Sequence, residues 1–235
     1  MLAAWLKDHY PVVWRLLFAL CSLPALVLVL LYVLQDLGPN PLALLLHVTG
    51  RTSLVLLTLT LCITPMRRWL SNFSRLTHRR YGKRLSDWNW LVRLRRPLGL
   101  WSFAYALGHA WVYLAFDLGY NWAFISFELL EKPYLSAGAV ALLILIVLAS
   151  TSTQRMIRLL GRNWRRLHTL TYVVAVLGLL HFWWAMKPGL KDPWPDTLAI
   201  AWLLGYRAAL RFGMLERWDG FDGRESQERP AMRVP

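Results

Sequence analysis

Six times along this chain, a run of about twenty residues passes with almost no charge. The runs cover residues 13–35, 42–65, 98–116, 134–153, 167–186 and 195–212. A helix rises about 1.5 Å per residue, so each run can cross roughly 30 Å of hydrocarbon. Backbone groups there find no water, and a helix is the one open structure that satisfies them internally. Gly38-Pro39-Asn40-Pro41, Lys132-Pro133, Lys187-Pro188-Gly189 and Pro193-Trp194-Pro195 punctuate the joins. The expectation is an all-α polytopic membrane protein, a six-helix transmembrane bundle over residues 1–212 followed by a polar tail over 213–235. Composition agrees, since only 17% of residues are charged and 57% are hydrophobic, against ~25% charged in an ordinary soluble domain. The apolar stretch from Leu16 to Leu34 follows Lys7 and Arg15 but shows no small-x-small cleavage pattern and exceeds a signal-peptide core, so it reads as a retained helix.

Charge sets the expected orientation. Of the 27 Lys and Arg residues, 23 fall in the N-terminal segment, the 66–97 loop, the 154–167 loop and the stretch from Arg207 onward. Three, Lys132, Lys187 and Lys191, fall in the alternate loops, and Arg51 lies inside the second run. The positive-inside rule then places both termini and the two basic loops in the cytoplasm. The formal net charge of +14 sits between apolar runs rather than along one polar face. That placement points to contact with membrane lipid and gives no sign of a nucleic-acid partner. Topology and anionic lipid account for most of the basic charge in the 66–97 loop. Its Arg67, Arg68, Arg79, Arg80, Lys83 and Arg84 are also the candidates for docking a soluble partner or a flavin phosphate.

Few residues within the runs can carry chemistry: His47 and Arg51 in the second, His109 in the third, His168 and His181 in the fifth. Every Asp and Glu falls in a loop, a helix end or the tail, which argues against a proton-coupled transporter. Histidines without acid partners suggest metal or heme ligation, the alternative being histidines that only hydrogen-bond a neighbouring helix. Counting from the basic side, His109 lies roughly 16 Å in and His181 about 21 Å in. Two imidazoles at one level on facing helices could ligate a heme between them. No Cys-x-x-Cys-His occurs, and Cys21 and Cys62 both lie in apolar runs, so such a heme would be of b type.

His168 stands apart. Thirteen residues before His181, it lies about 20 Å away and about 220° around an ideal helix. It could ligate an inner heme alone or with water, touch a flavin, or cap the helix start. His47 and Arg51 share a helix face, and Arg51 could bond a heme propionate or snorkel toward headgroups. His9 and His78 lie in basic segments and read as solvated. The chain contains no Gly-x-Gly-x-x-Gly and no Gly-x-x-x-x-Gly-Lys, which argues against a self-contained nicotinamide reductase.

The stretches His47-Val-Thr-Gly-Arg-Thr, Ile63-Thr-Pro65, Pro97-Leu-Gly-Leu-Trp101 leading to His109, Lys132-Pro-Tyr-Leu-Ser-Ala-Gly138, Ala149-Ser-Thr-Ser152, Trp164-Arg-Arg-Leu-His168 and His181-Phe-Trp183 occur in order over residues 47–184. Together they resemble the heme-binding membrane subunit family of the bacterial periplasmic methionine-sulfoxide reductase system, which is similar to ferric reductase and NADPH oxidase transmembrane domains. The resemblance implies a ferric reductase-like bundle in the cell inner membrane, heme b on His109, His181 and His168, and an associated FMN. It implies electrons taken from the quinone pool or a cytoplasmic flavin reductase. Their destination would be a periplasmic molybdopterin-containing subunit that reduces methionine sulfoxide in oxidised proteins. On this reading the chain is an electron-transfer subunit rather than the catalytic one. The segment 72–96 before the third run is longer than the family pattern.

Two other classes compete: a transporter or channel, and a non-redox membrane anchor. A ferric reductase-like carrier with a different acceptor is a further alternative. Direction of flow follows from the placement of charge and histidine, with electrons expected to enter on the basic side and leave at the opposite face.

Overall fold

Four of the six long helices carry a proline at their first or second position, where its missing N–H would have had no helical partner. The computed structural model describes residues 9–78, 82–186 and 193–212. Its long helices are α1 (Tyr10–Val33), α2 (Pro41–Leu76), α3 (Arg95–Val112), α4 (Pro133–Ser150), α5 (Thr171–Ala185) and α6 (Trp194–Arg211). Shorter helical pieces join them. Leu85–Trp88 and Asn89–Arg93 precede α3, while Tyr113–Asp117, a π-helical turn, and Trp122–Glu131 follow it. Gln154–Leu160, Arg162–Leu167 and the turn His168–Leu170 lead into α5. All regular structure among the described residues is helical. The expected tail over 213–235, with Lys7, Arg79, Arg80 and Lys187-Pro188-Gly189, lies outside the described residues.

Among the described residues, four rods are long and apolar enough to cross a membrane by themselves: α1, α2, α4 and the continuous Arg162–Ala185 that contains α5. The other two fall short for a visible reason. α3 begins with Arg95-Arg96 and mixes Trp, Tyr, Ser and Gly into its length, and α6 carries Asp196, Arg207 and Arg211.

α2 packs along α3, and α4 packs along α5. In the first pair, Ser53 Oγ donates to the Ser102 carbonyl and Ser102 Oγ donates back to the Ser53 carbonyl, each at 2.8 Å. Small hydroxyl residues let two helices approach closely and satisfy each other where no water reaches. One core cluster lies among α2, α4, α5 and α6, around Leu57, Leu61, Leu145, Val174 and Ile200. A second joins α1, α2 and α3 to Trp88 and Leu91. α1 is held lightly: of its 24 residues only Cys21 and Leu28 are buried, while Leu20, Leu26 and Val29 are open, as a lipid-facing helix requires.

Two prolines test this packing. Pro65 marks the end of the second run in the sequence, yet α2 continues through it to Leu76, so the 66–97 segment begins as helix rather than loop. A proline leaves the carbonyl four residues earlier without its donor. Arg207 of α6 fills that gap, donating from Nη2 to the Leu61 carbonyl at 2.5 Å. In α1, Tyr105 Oη donates to the Cys21 carbonyl at 2.7 Å and accepts from the Ala25 N–H at 3.1 Å, inserting into the ladder beside Pro24.

The bundle has two chemically distinct ends. His47, His109 and His181 lie toward the end where α2 and α4 begin, here termed the histidine end. Arg67, Arg95 and Arg207 lie toward the opposite, arginine end.

Candidate functional site

The α2–α3 and α4–α5 pairs repeat one local construction. Gly50 of α2 faces His109 of α3, and a β-carbon on that glycine would lie 3.0 Å from Nδ1. Gly138 of α4 faces His181 of α5, where a β-carbon would lie 2.8 Å from Nδ1. Each imidazole thus occupies the space of a missing side chain. Each is also oriented by a carbonyl four residues before its glycine. His109 Nδ1 donates to the Leu46 carbonyl at 3.0 Å, and His181 Nδ1 donates to the Tyr134 carbonyl at 2.7 Å. A carbonyl only accepts, so Nδ1 carries the proton on both rings and Nε2 keeps its lone pair. Metal-ligating histidines are oriented by this kind of backbone bond.

The two rings meet. Their centroids are 5.9 Å apart and their planes perpendicular. They lie on one cavity of about 630 Å³, within the range of small-molecule and cofactor sites. Gly50, Ala106, Ala110, Gly138 and Gly178 line it, so the walls are held back from a flat ligand. Among the described residues, no three His, Cys, Asp or Glu side chains gather into a metal-ion site. A pair of facing imidazoles fits the axial ligation of heme iron, whose remaining ligands come from the porphyrin.

His47 and Arg51 line the same cavity. His47 tilts against Phe182 at 6.2 Å. Arg51 Nη2 lies 3.4 Å from Oδ2 of the buried Asp196 at the start of α6. The sequence reading weighed propionate bonding and snorkelling for Arg51 and did not pair it with Asp196, which sits 145 residues away. His168 is elsewhere. Its ring stacks on Trp164 at 4.0 Å, its Nδ1 donates to the Trp164 carbonyl at 3.1 Å, and its Nε2 lies 3.4 Å from Ser152 Oγ. Trp164 Nε1 in turn donates to the Thr151 carbonyl at 3.0 Å, so this histidine sits in the join between α4 and the following rod.

The cavity mouth is covered by Trp122–Glu131, whose Ile125 and Leu129 line it together with Tyr113. Tyr113 Oη donates to Glu128, and Lys132 Nζ bonds the same carboxylate at 2.5 Å. The bonds from Lys132 and Tyr113 hold the Glu128 carboxyl below the usual range, and the bond to Glu128 raises Lys132.

At the arginine end, Arg95 and Arg207 both donate to Thr64 Oγ1, at 2.5 and 3.1 Å. Arg67 donates to the Leu85 carbonyl at 3.0 Å and to Asn89. The buried Nε atoms of Arg67 and Arg95 have no hydrogen-bond partner among the described residues.

The sequence reading missed Gly50, Gly138, Asp196 and the Arg95–Arg207 convergence. None of these left a local signal, because each role depends on a helix that crosses from elsewhere in the chain.

Residues 49–179 match the family described as ferric reductase like transmembrane component. The protein-methionine-sulfoxide reductase heme-binding subunit MsrQ of Herminiimonas arsenicoxydans is 40% identical over 178 residues, covering 75% of this chain and 74% of that protein. The MsrQ of Xanthomonas euvesicatoria is 41% identical over 171 residues, 73% of this chain and 71% of its own. That of Azospira oryzae is 37% identical over 204 residues, 86% and 81%. With its apolar rods and these relatives, the chain is a multi-pass membrane protein that belongs to the ferric reductase-like transmembrane family and, within it, to the MsrQ family.

Proposed function

We propose that this chain is the electron-carrying membrane subunit of a methionine-sulfoxide reductase system, holding one heme b between His109 and His181. One observation carries the reading: two facing imidazoles, each locked through Nδ1 to a helix carbonyl, line a single cavity. A heme held there supplies a one-electron carrier in a water-poor bundle. His109 and His181, with Nδ1 already spent on a helix carbonyl, would hold that heme. Arg51, steadied by Asp196, and His47 line the same cavity from α2 and would help hold it.

In this reading six helices cross the bacterial inner membrane, with the arginine end and both termini in the cytoplasm. The bias of Lys and Arg toward that end supports it. The histidine end faces the periplasm and delivers electrons to a molybdopterin-containing reductase subunit that repairs oxidised proteins. Electrons come from the quinone pool or a cytoplasmic flavin reductase. FMN belongs at the arginine end, where Arg67 and Arg95 each keep a buried Nε–H without a partner among the described residues, donors suited to a phosphate. His168, stacked on Trp164, lies at that end as a contact for the flavin or a relay rather than a ligand of the His109–His181 heme.

The test is the visible spectrum of the purified protein, followed by electron delivery. A reduced b-type spectrum that reoxidises when the periplasmic reductase and methionine sulfoxide are added is expected. A colourless protein, or a heme that the reductase cannot reoxidise, contradicts the proposal.

A further inference from the structure

One acidic side chain beside the cavity does not border it. Asp196 stands in the first turn of α6, where the free N–H groups of a helix start favour a carboxylate, and it is buried. Arg51, its partner, does line the cavity. Arg51 Nη2 lies 3.4 Å from Asp196 Oδ2, yet Oδ2 receives no hydrogen bond among the described residues. The contact is therefore charge against charge, without the aligned donors that make a guanidinium–carboxylate pair strong. A buried pair of this kind gains little stability, because the cost of taking both charges out of water rivals their attraction. Nor does α6 need it as a clip. Trp183 Nε1 donates to Thr197 Oγ1 at 2.9 Å at the same helix start, Ile200 and Leu203 are packed in the core, and Arg207 reaches the Leu61 carbonyl at the far end. One feature of the pair is left that packing does not explain, and it is the order of the charges. The cation borders the cavity and the anion stands behind it.

We propose that Asp196 is the counter-charge that sets the redox potential of the site, opposing the field of Arg51 while holding its guanidinium at the cavity wall. The inference rests on the electron-carrier reading and adds what tunes the carrier. Oxidised heme iron bears one more positive charge than reduced iron. A lone guanidinium on the wall stabilises the reduced form, and in a water-poor site its field is strong. An electron would then be easy to accept and hard to pass on. A carboxylate directly behind the guanidinium opposes that field, so the wall keeps N–H donors for an anionic edge of the ligand without trapping the electron. Asp196 acts through Arg51 and is a positioning residue rather than a ligand contact. The signs follow from the order of the charges. Removing the rear anion leaves the cation uncompensated and raises the potential. Removing the front cation lowers it. Removing both exchanges one neutral arrangement for another and sets the potential between those of the single variants.

The test is a potentiometric titration of the heme-loaded protein in lipid nanodiscs, followed by visible absorption. At the ambient potential that leaves wild type half reduced, the ratio of reduced to oxidised heme is expected to rise at least threefold in Asp196→Asn. It should fall at least threefold in Arg51→Gln, with the double variant between the two. Asp196→Ser, a second neutral group at the same place, should rise as Asp196→Asn does and serves where the asparagine variant fails to fold. Asp196→Glu keeps the charge, and Thr197→Val loosens the same helix start without removing a charge, so both should titrate with wild type. A carboxylate that only braced α6 would instead give Thr197→Val and Asp196→Asn the same displacement, and that result overturns the inference. Shifts of one sign in Asp196→Asn and Arg51→Gln, the mark of a side chain that merely keeps Arg51 in place, overturn it too. Heme bound at a potential that neither variant moves refutes the counter-charge and leaves the carrier reading intact. A wild-type protein that takes up no heme refutes the carrier reading, and this inference with it.

Discussion

The two ends of the bundle are built on the same helices and treat space in opposite ways. At the histidine end, Gly50, Ala106, Ala110, Gly138 and Gly178 hold the walls apart around about 630 Å³. Toward the arginine end, Leu57, Leu61, Leu148 and Ile200 close the same helices into a buried core. Polar groups follow the contrast. The imidazoles of His109 and His181 spend one nitrogen on a helix carbonyl and leave the other for a ligand. The guanidinium of Arg207 goes to a carbonyl that Pro65 has freed and to Thr64, which makes it part of the scaffold. Side-chain volume and one nitrogen's worth of hydrogen bonding thus set the hollow half of the bundle apart from the packed half.

The largest effect that could break this contrast is loss of a ligand. His109→Ala or His181→Ala should abolish low-spin heme binding, while Arg95→Ala should keep the wild-type heme bands, all read by visible spectroscopy of purified protein. Next come the glycines. Gly138→Ala sets a β-carbon 2.8 Å from His181 Nδ1 and should lower heme occupancy severalfold. Gly178→Ala, where the nearest atom is Leu54 Cδ1 at 3.4 Å, should stay near wild type. Ile200→Ala, in the packed half, should cost about 2–4 kcal/mol of stability through the cavity it leaves. Its thermal midpoint in detergent should fall while the heme spectrum stays in place. The smallest effect sits at the cavity mouth. The folded-state pKa of Glu128 is depressed by Lys132 and Tyr113, so its contribution is present above the ordinary carboxylate range and lost as pH falls through the folded value. A partly exposed pair of this kind is worth roughly 0.2–1 kcal/mol. The difference in midpoint between wild type and Glu128→Gln should shrink only at acid pH.

The contrast was partly legible in the sequence. Apolar length marks the helical rods, and four of those described are long and apolar enough to cross a membrane, because lipid permits little else. Rise per residue put His109 and His181 at one level. Other features depend on contacts between distant residues. Pro65 reads locally as a helix end, and only Arg207, 142 residues later, lets α2 run on. Arg51 reads as a lone cation until α6 brings Asp196 to it. The role of Gly50 and Gly138 follows from which helix crosses them, and spacing along one helix carries no record of its neighbour.

The central claim is that the hollow half holds one bis-histidine heme and the packed half holds none. The most direct test is the heme-to-polypeptide ratio of the purified protein, by pyridine hemochrome, together with electron paramagnetic resonance of its oxidised form. The account predicts a ratio of one with a low-spin ferric signal. A ratio of two, or a high-spin signal from a five-coordinate iron, would contradict it.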